Sequence, residues 1–144
     1  MENFFVPYEQ ALALKELGFN QKCLGQFNTH QGNKWLFNID LSGEGQYSLT
    51  TSACIAPLYE QAFKFFREKY KLYQYIEPVI VDETDSSIKY DFIILDDSDD
   101  TEEYDNIPYN TFEEAELECL NKLIEIVKTK KYAKHTFNIN KKKK

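Results

Sequence analysis

The sequence predicts an α+β fold: an antiparallel sheet of about four strands, arranged as two hairpins, with helices packed on one face. Three observations carry that expectation. Aromatic residues recur at helical spacing over 56–76, apolar and polar residues alternate over 34–41 and 87–95, and clusters of turn formers separate the alternating runs. The elements follow in the order α-ββ-α-ββ-α, and helices on one face of an antiparallel sheet would bury every apolar stripe. The two hairpin-plus-helix halves suggest an architectural pseudo-repeat, although no residue-level repeat accompanies it.

The first expected element is a short helix over 7–17. Pro7 lacks the N–H that a first turn leaves unpaired anyway, and Gly18 readily takes the left-handed conformation that ends a helix. At about three turns this helix is not stable alone, so Ala11, Leu14, Leu17 and the following Phe19 are expected to dock on the core. Two runs, 21–28 and 34–41, flank the turn formers Thr29, His30, Gln31, Gly32 and Asn33 and predict a hairpin. In the second run Trp35, Phe37 and Ile39 alternate with Leu36, Asn38 and Asp40, which places the Trp35 side inward. Residues 42–52 read as a loop, with one short strand near 47–50.

The central helix is expected over 56–76, opened by Pro57. Tyr59, Ala62, Phe63, Phe66, Tyr70 and Tyr73 share one face, widened by Leu58, Phe65 and Leu72, while Glu60, Gln61, Lys64, Arg67, Glu68 and Lys71 share the other. Such an aromatic stripe could stack on bases or fill a partner's groove. Core is the simpler reading, because so much exposed ring surface would make the helix insoluble.

Beyond it, 78–84, a turn at Asp85 and Ser86, and 87–95 predict the second hairpin; Ile88, Tyr90, Phe92 and Ile94 alternate there with Lys89, Asp91 and Ile93. Residues 96–106 carry carboxylates without an apolar period and read as a solvated loop. A last helix is expected over 111–129: Thr111 and Glu114 have capping-box spacing, and Ala115, Cys119, Leu120, Leu123, Ile126 and Val127 form an apolar face. The expected organisation is one globular domain over 3–130 followed by a basic flexible tail over 131–144.

Hydrophobic residues make up 42% of the chain and aromatic ones 15%, well above what a disordered segment carries, so most of the chain should fold. A formal net charge of −7 argues against non-specific binding to duplex nucleic acid, which depends on clustered lysine and arginine displacing counterions. Cys23, Cys54 and Cys119 are odd in number, form no CxxC pair and sit in apolar surroundings, the pattern of free buried thiols in a reducing compartment. The N-terminal residues show neither a positively charged leader nor a long apolar run, which supports a cytoplasmic, membrane-free expectation.

No signature for dinucleotide, NTP-phosphate, zinc-hydrolase or serine-hydrolase chemistry is present in the sequence. His30 and His135 fall in an expected turn and an expected tail, where nothing would orient them as ligands or bases. No catalytic residue, metal ligand or cofactor is therefore expected. Asp96, Ser98 and Asp100 occupy the first, third and fifth positions of a calcium loop, but Thr101 and Ile107 stand where that loop needs its glycine and its bidentate glutamate. The same carboxylates, Asp96, Asp97, Asp99 and Asp100 with Glu102, Glu103 and Asp105, could instead dock a basic partner or imitate phosphates. Tyrosine is abundant, more than one small core can absorb, and Tyr73 and Tyr75 are the first choice for a recognition surface.

Three segments, FVPYEQALALKELGF, APLYEQAFKFFREKY and NTFEEAELECLNKLIEIVK, resemble small proteins of tailed phages and of prophages in gut bacteria. The resemblance implies an intracellular, phage-derived origin. It supplies no catalytic residue, and the acidic run and the lysine tail lie outside it.

The leading functional expectation is thus a small, acidic, non-enzymatic binding module of phage origin that acts on a host or phage protein or sequesters a small ligand. An acidic nucleic-acid mimic that blocks a host defence protein, a virion or assembly component, and a metal-dependent enzyme follow in that order.

Overall fold

The computed structural model describes residues 2–30, 33–37, 54–82, 84, 87–97, 101–104 and 107–142. Among them the chain is α+β, with three α-helices and six strands in the order α1 (Tyr8–Glu16), β1 (Gly25–His30), β2 (Asn33–Phe37), β3 (Cys54–Ala56), α2 (Tyr59–Tyr70), β4 (Leu72–Ile80), β5 (Ile88–Asp96), β6 (Thr101–Tyr104) and α3 (Phe112–Lys142). The strands form two three-stranded sheets, β2-β1-β3 and β4-β5-β6, where one sheet of four was expected. The additional strands are β3 and β6, at three and four residues too short to show an alternation. By contact the chain divides into two compact units, Met1–Tyr73 and Gln74–Lys144, alongside the expectation of one domain over 3–130. The central strand is the first of its sheet in one case and the second in the other, so the two sheets are not repeats in connectivity. The loop expected over 42–52 and the turn at Asp85 and Ser86 lie outside the described residues.

In the first unit α1 ends as Gly18 dictates. At φ +95° Gly18 donates its N–H to the Lys15 carbonyl at 3.0 Å, and Phe19 donates to Leu14 at 2.9 Å, the reciprocal pair of a Schellman cap. The hairpin of β1 and β2 is tighter than expected. His30 pairs with Asn33, so Thr29, His30 and Asn33 belong to strands and leave Gln31 and Gly32 as the connection. β3 pairs with the other edge of β1, Phe27 opposite Cys54.

α2 buries the stripe the spacing selects: Ala62, Phe63, Phe65 and Phe66 are all in the core. Phe65 meets Phe19, Phe66 and Tyr70 with ring centroids 5.5, 5.5 and 5.6 Å apart, edge-on in each case. At the helix start the Gln61 side chain accepts a hydrogen bond from the Leu58 N–H at 3.1 Å and donates one to the Lys22 carbonyl at 2.9 Å.

In the second unit β6 pairs back along β5, Asp96 opposite Thr101 and Ile93 opposite Tyr104. This corrects the expectation of a solvated loop throughout 96–106. Tyr109 then exchanges two backbone hydrogen bonds with Tyr90, at 2.9 and 2.7 Å. α3 opens with Thr111 accepting from the Glu114 N–H at 3.1 Å, while the Glu114 carboxylate accepts from the Asn110 N–H at 3.1 Å. Ala115, Cys119, Leu120, Leu123, Ile124, Ile126 and Val127 are buried, as are Phe92, Ile93 and Ile94 of β5. Instead of ending near Thr129, α3 runs on to Lys142 through residues that composition assigned to a flexible tail.

Candidate functional site

The sequence places Tyr73 on the helical stripe of the central helix, and the structure moves it to a strand. α2 ends at Tyr70 because Lys71 takes a left-handed conformation, φ 58° and ψ 35°, which no helix can propagate. From Leu72 the backbone is extended, and the alternation Leu72, Tyr73, Gln74, Tyr75 reads in, out, in, out. Tyr73 is 40% exposed and Tyr75 46%, whereas Leu72 is buried. Two residues apart on one strand, the two tyrosines leave the same side about 7 Å from each other. Between them, on the opposite side, Gln74 Oε1 is buried with no hydrogen-bond partner among the described residues.

Farther along β4 the exposure continues in residues that sequence reasoning did not single out. Ile80 is 76% exposed, and Val81 and Ile88 are also open to solvent at the ends of the strands they border. Alternation alone could not have found them, because the outward positions shift from Tyr73 and Tyr75 to Pro78 and Ile80.

Of the acidic candidates, the structure describes two side chains. Asp96 is buried, and its carboxylate accepts from the Lys130 ammonium of α3. Asp97 is exposed in the turn that follows, and Asp99 and Asp100 lie outside the described residues.

The three thiols are buried. Burial pushes the Cys23 thiol up to about 12, and burial likewise raises Cys54 and Cys119, which keeps all three protonated near neutrality. Glu116 on α3 is raised to about 6 by burial first and by the neighbouring Glu113 carboxylate second. Among the described residues no group of histidine, cysteine and carboxylate side chains is arranged to hold a metal ion, and no helix is long and apolar enough to cross a membrane.

At the junction of α1 and α2 a different polar cluster forms. The Leu17 carbonyl at the end of α1 accepts from Lys69 Nζ at 2.8 Å and from the Tyr70 hydroxyl at 3.0 Å, and the same ammonium lies 5.2 Å from the centre of the Phe65 ring. This cluster ties the ends of the two helices together. No protein-family model matches the chain, and neither does any curated protein or solved structure.

Proposed function

We propose that this chain is a small, non-enzymatic binding module of phage origin, working in the host cytoplasm, that engages a host or phage protein or a small ligand through the outward side of β4. The observation that carries this reading is the pair of tyrosine rings, Tyr73 and Tyr75, exposed on one side of a regular strand. A tyrosine offers a large apolar face and a hydroxyl with few rotatable bonds, so its immobilisation on binding costs little entropy. Mounting two of them on a hydrogen-bonded strand fixes their spacing before the partner arrives. Phage origin rests on the resemblance of the three sequence segments, and the non-enzymatic reading on the missing catalytic motifs and the protonated, buried thiols. A nucleic-acid mimic is the second reading; of its carboxylates, Asp96 is already partnered by Lys130 inside the unit.

The test is capture from host lysate, together with native mass spectrometry of the purified protein for a bound small molecule. A defined partner or ligand should be recovered by the wild type and lost by Tyr73→Ala/Tyr75→Ala, with the variant's circular dichroism unchanged. Equal capture by wild type and variant, turnover of a nucleotide or peptide, or salt-resistant binding of duplex DNA would overturn the reading.

A further inference from the structure

In the second unit β4 and β5 lie side by side and are joined by residues 81–87 alone, too few for a parallel crossover, so the end of β4 lies beside the start of β5. Along β5 the residues Ile88, Tyr90, Phe92 and Ile94 leave the same side. Phe92 and Ile94 are buried, and Phe92 stacks on the Tyr109 ring with centroids 6.2 Å apart. Tyr90 sets its ring edge-on against Phe112, the first residue of α3, at 6.0 Å. From that contact α3 runs toward the far end of β5, where Lys130 meets Asp96. The apolar side of the strand extends the other way by one more residue, because Ile88 stands about 7 Å before Tyr90. Ile88 is 56% exposed and Phe112 42%, while Ile80 and Val81 at the end of β4 are 76% and 60% exposed. Large apolar side chains are therefore open to solvent where the sheet passes the start of the helix that packs on it.

We propose that this end of the second unit, formed by Ile80, Val81, Ile88 and Phe112, docks an amphipathic helix of a protein partner whose polar side is rich in lysine and arginine. A helix fits because a helix, α3, is what packs on β5 beyond Tyr90, and a second one placed before Phe112 would continue that layer. Apolar residues at helical spacing on the partner would rest on the four exposed side chains. The basic polar side follows from the charges around them. Residues 81–87 carry Asp82, Glu83 and Asp85 and no lysine, arginine or histidine. Asp82 is exposed, and the Thr84 N–H that donates to its carboxylate at 2.9 Å holds its pKa below the usual value, so it is charged near neutrality. The first turn of α3 adds Glu113, also exposed. Against these stands Lys89, whose ammonium donates to the Asn110 side chain at 2.5 Å. The surplus of carboxylates would repel a second copy of this acidic chain and attract a basic segment. This surface is separate from the tyrosines of the proposed function, which stand toward the opposite end of β4.

Fluorescence anisotropy on the full chain tests this with a labelled peptide of leucine and lysine patterned as an amphipathic helix, and with its counterpart in which every lysine is replaced by glutamate. The lysine peptide should bind saturably, and at least about ten-fold tighter than the glutamate peptide. Ile80→Ser/Ile88→Ser should weaken it at least about ten-fold while leaving the urea midpoint near that of the wild type, since exposed side chains contribute little to the fold. Tyr73→Ala/Tyr75→Ala should bind it as the wild type does, so that failure here and failure of the tyrosine surface are told apart. No saturable binding, equal affinity for the two peptides, or a serine variant that binds as tightly as the wild type would each overturn the proposal. So would self-association of the wild type that the serine changes abolish, which would give the surface to a second copy. If the serine variant fails to fold, hydrogen exchange of the wild type decides: the lysine peptide should slow the amides of 79–82 and 88–91, and unchanged exchange there overturns the docking surface.

Discussion

Three buried thiols, one left-handed glycine and one raised carboxyl set what single residues are expected to do. Because the thiolate is the reactive form and burial holds Cys23, Cys54 and Cys119 protonated, the native protein should resist a thiol reagent at pH 8. Urea should release all three at once, and rapid labelling of the native protein would show that one is accessible. Gly18→Ala should destabilise by about 1 to 2 kcal/mol, since a side chain resists the left-handed conformation. The added methyl would also lie 2.7 Å from Lys69 Nζ and push that ammonium off the Leu17 carbonyl. Urea titration of the variant checks both effects. Glu116 binds its proton more tightly folded than unfolded, from 4.5 to about 6, so the burden of its buried charge is absent below the lower value and complete above the higher. Glu116→Gln should therefore match the wild type near about pH 4 and exceed its urea midpoint near about pH 7.5. A variant less stable at the higher pH would mean that the carboxylate is favourably partnered there.

At the scale of elements, helix starts were legible, as was the end of α1 at Gly18, but the ends of α2 and α3 were not. Pro7, Pro57 and Thr111 announce their helices because a missing N–H or a capping hydroxyl suits only the first turn. The end of α2 was hidden because Tyr70 and Tyr73 continue the helical spacing while Leu72, Tyr73, Gln74 and Tyr75 also alternate. Two periods overlap there, and the left-handed Lys71 decides between them. Tyr73, which helical spacing put on the inward stripe, instead lies with Tyr75 on the exposed side of a strand. Asp96 was misread for another reason: nothing in an acidic run shows that a lysine 34 positions later will bury one member of it. The element-level test separates core from surface. Phe66→Ala should cost about 3 to 5 kcal/mol, because the ring is wholly buried within the aromatic cluster of α2. Tyr73→Ala and Tyr75→Ala should each cost less than about 1 kcal/mol, since little of either ring's contact would be lost. Near-equal costs at the three positions would place the tyrosines in a packed interior.

For the whole molecule the question is whether the two compact units unfold together. The boundary between Tyr73 and Gln74 falls inside β4, a continuous strand from Leu72 to Ile80. Leu72, at the first end of that strand, is buried, and the strand goes on to join the sheet of the second unit beside β5. Unfolding the first unit would release the start of β4, and unfolding the second would remove the sheet that keeps the rest of it extended. One strand thus runs through the boundary between the two units. Each unit alone would also be of a size, about 70 residues, at which a single apolar core is marginal. The expected outcome is one urea transition. The chain's single tryptophan, Trp35, belongs to the first unit, and α3, the longest helix among the described residues, belongs to the second. Trp35 fluorescence and helical circular dichroism should therefore share a midpoint and a slope. If the fluorescence change comes first and the helical signal persists, the units are independently stable and β4 does not couple them.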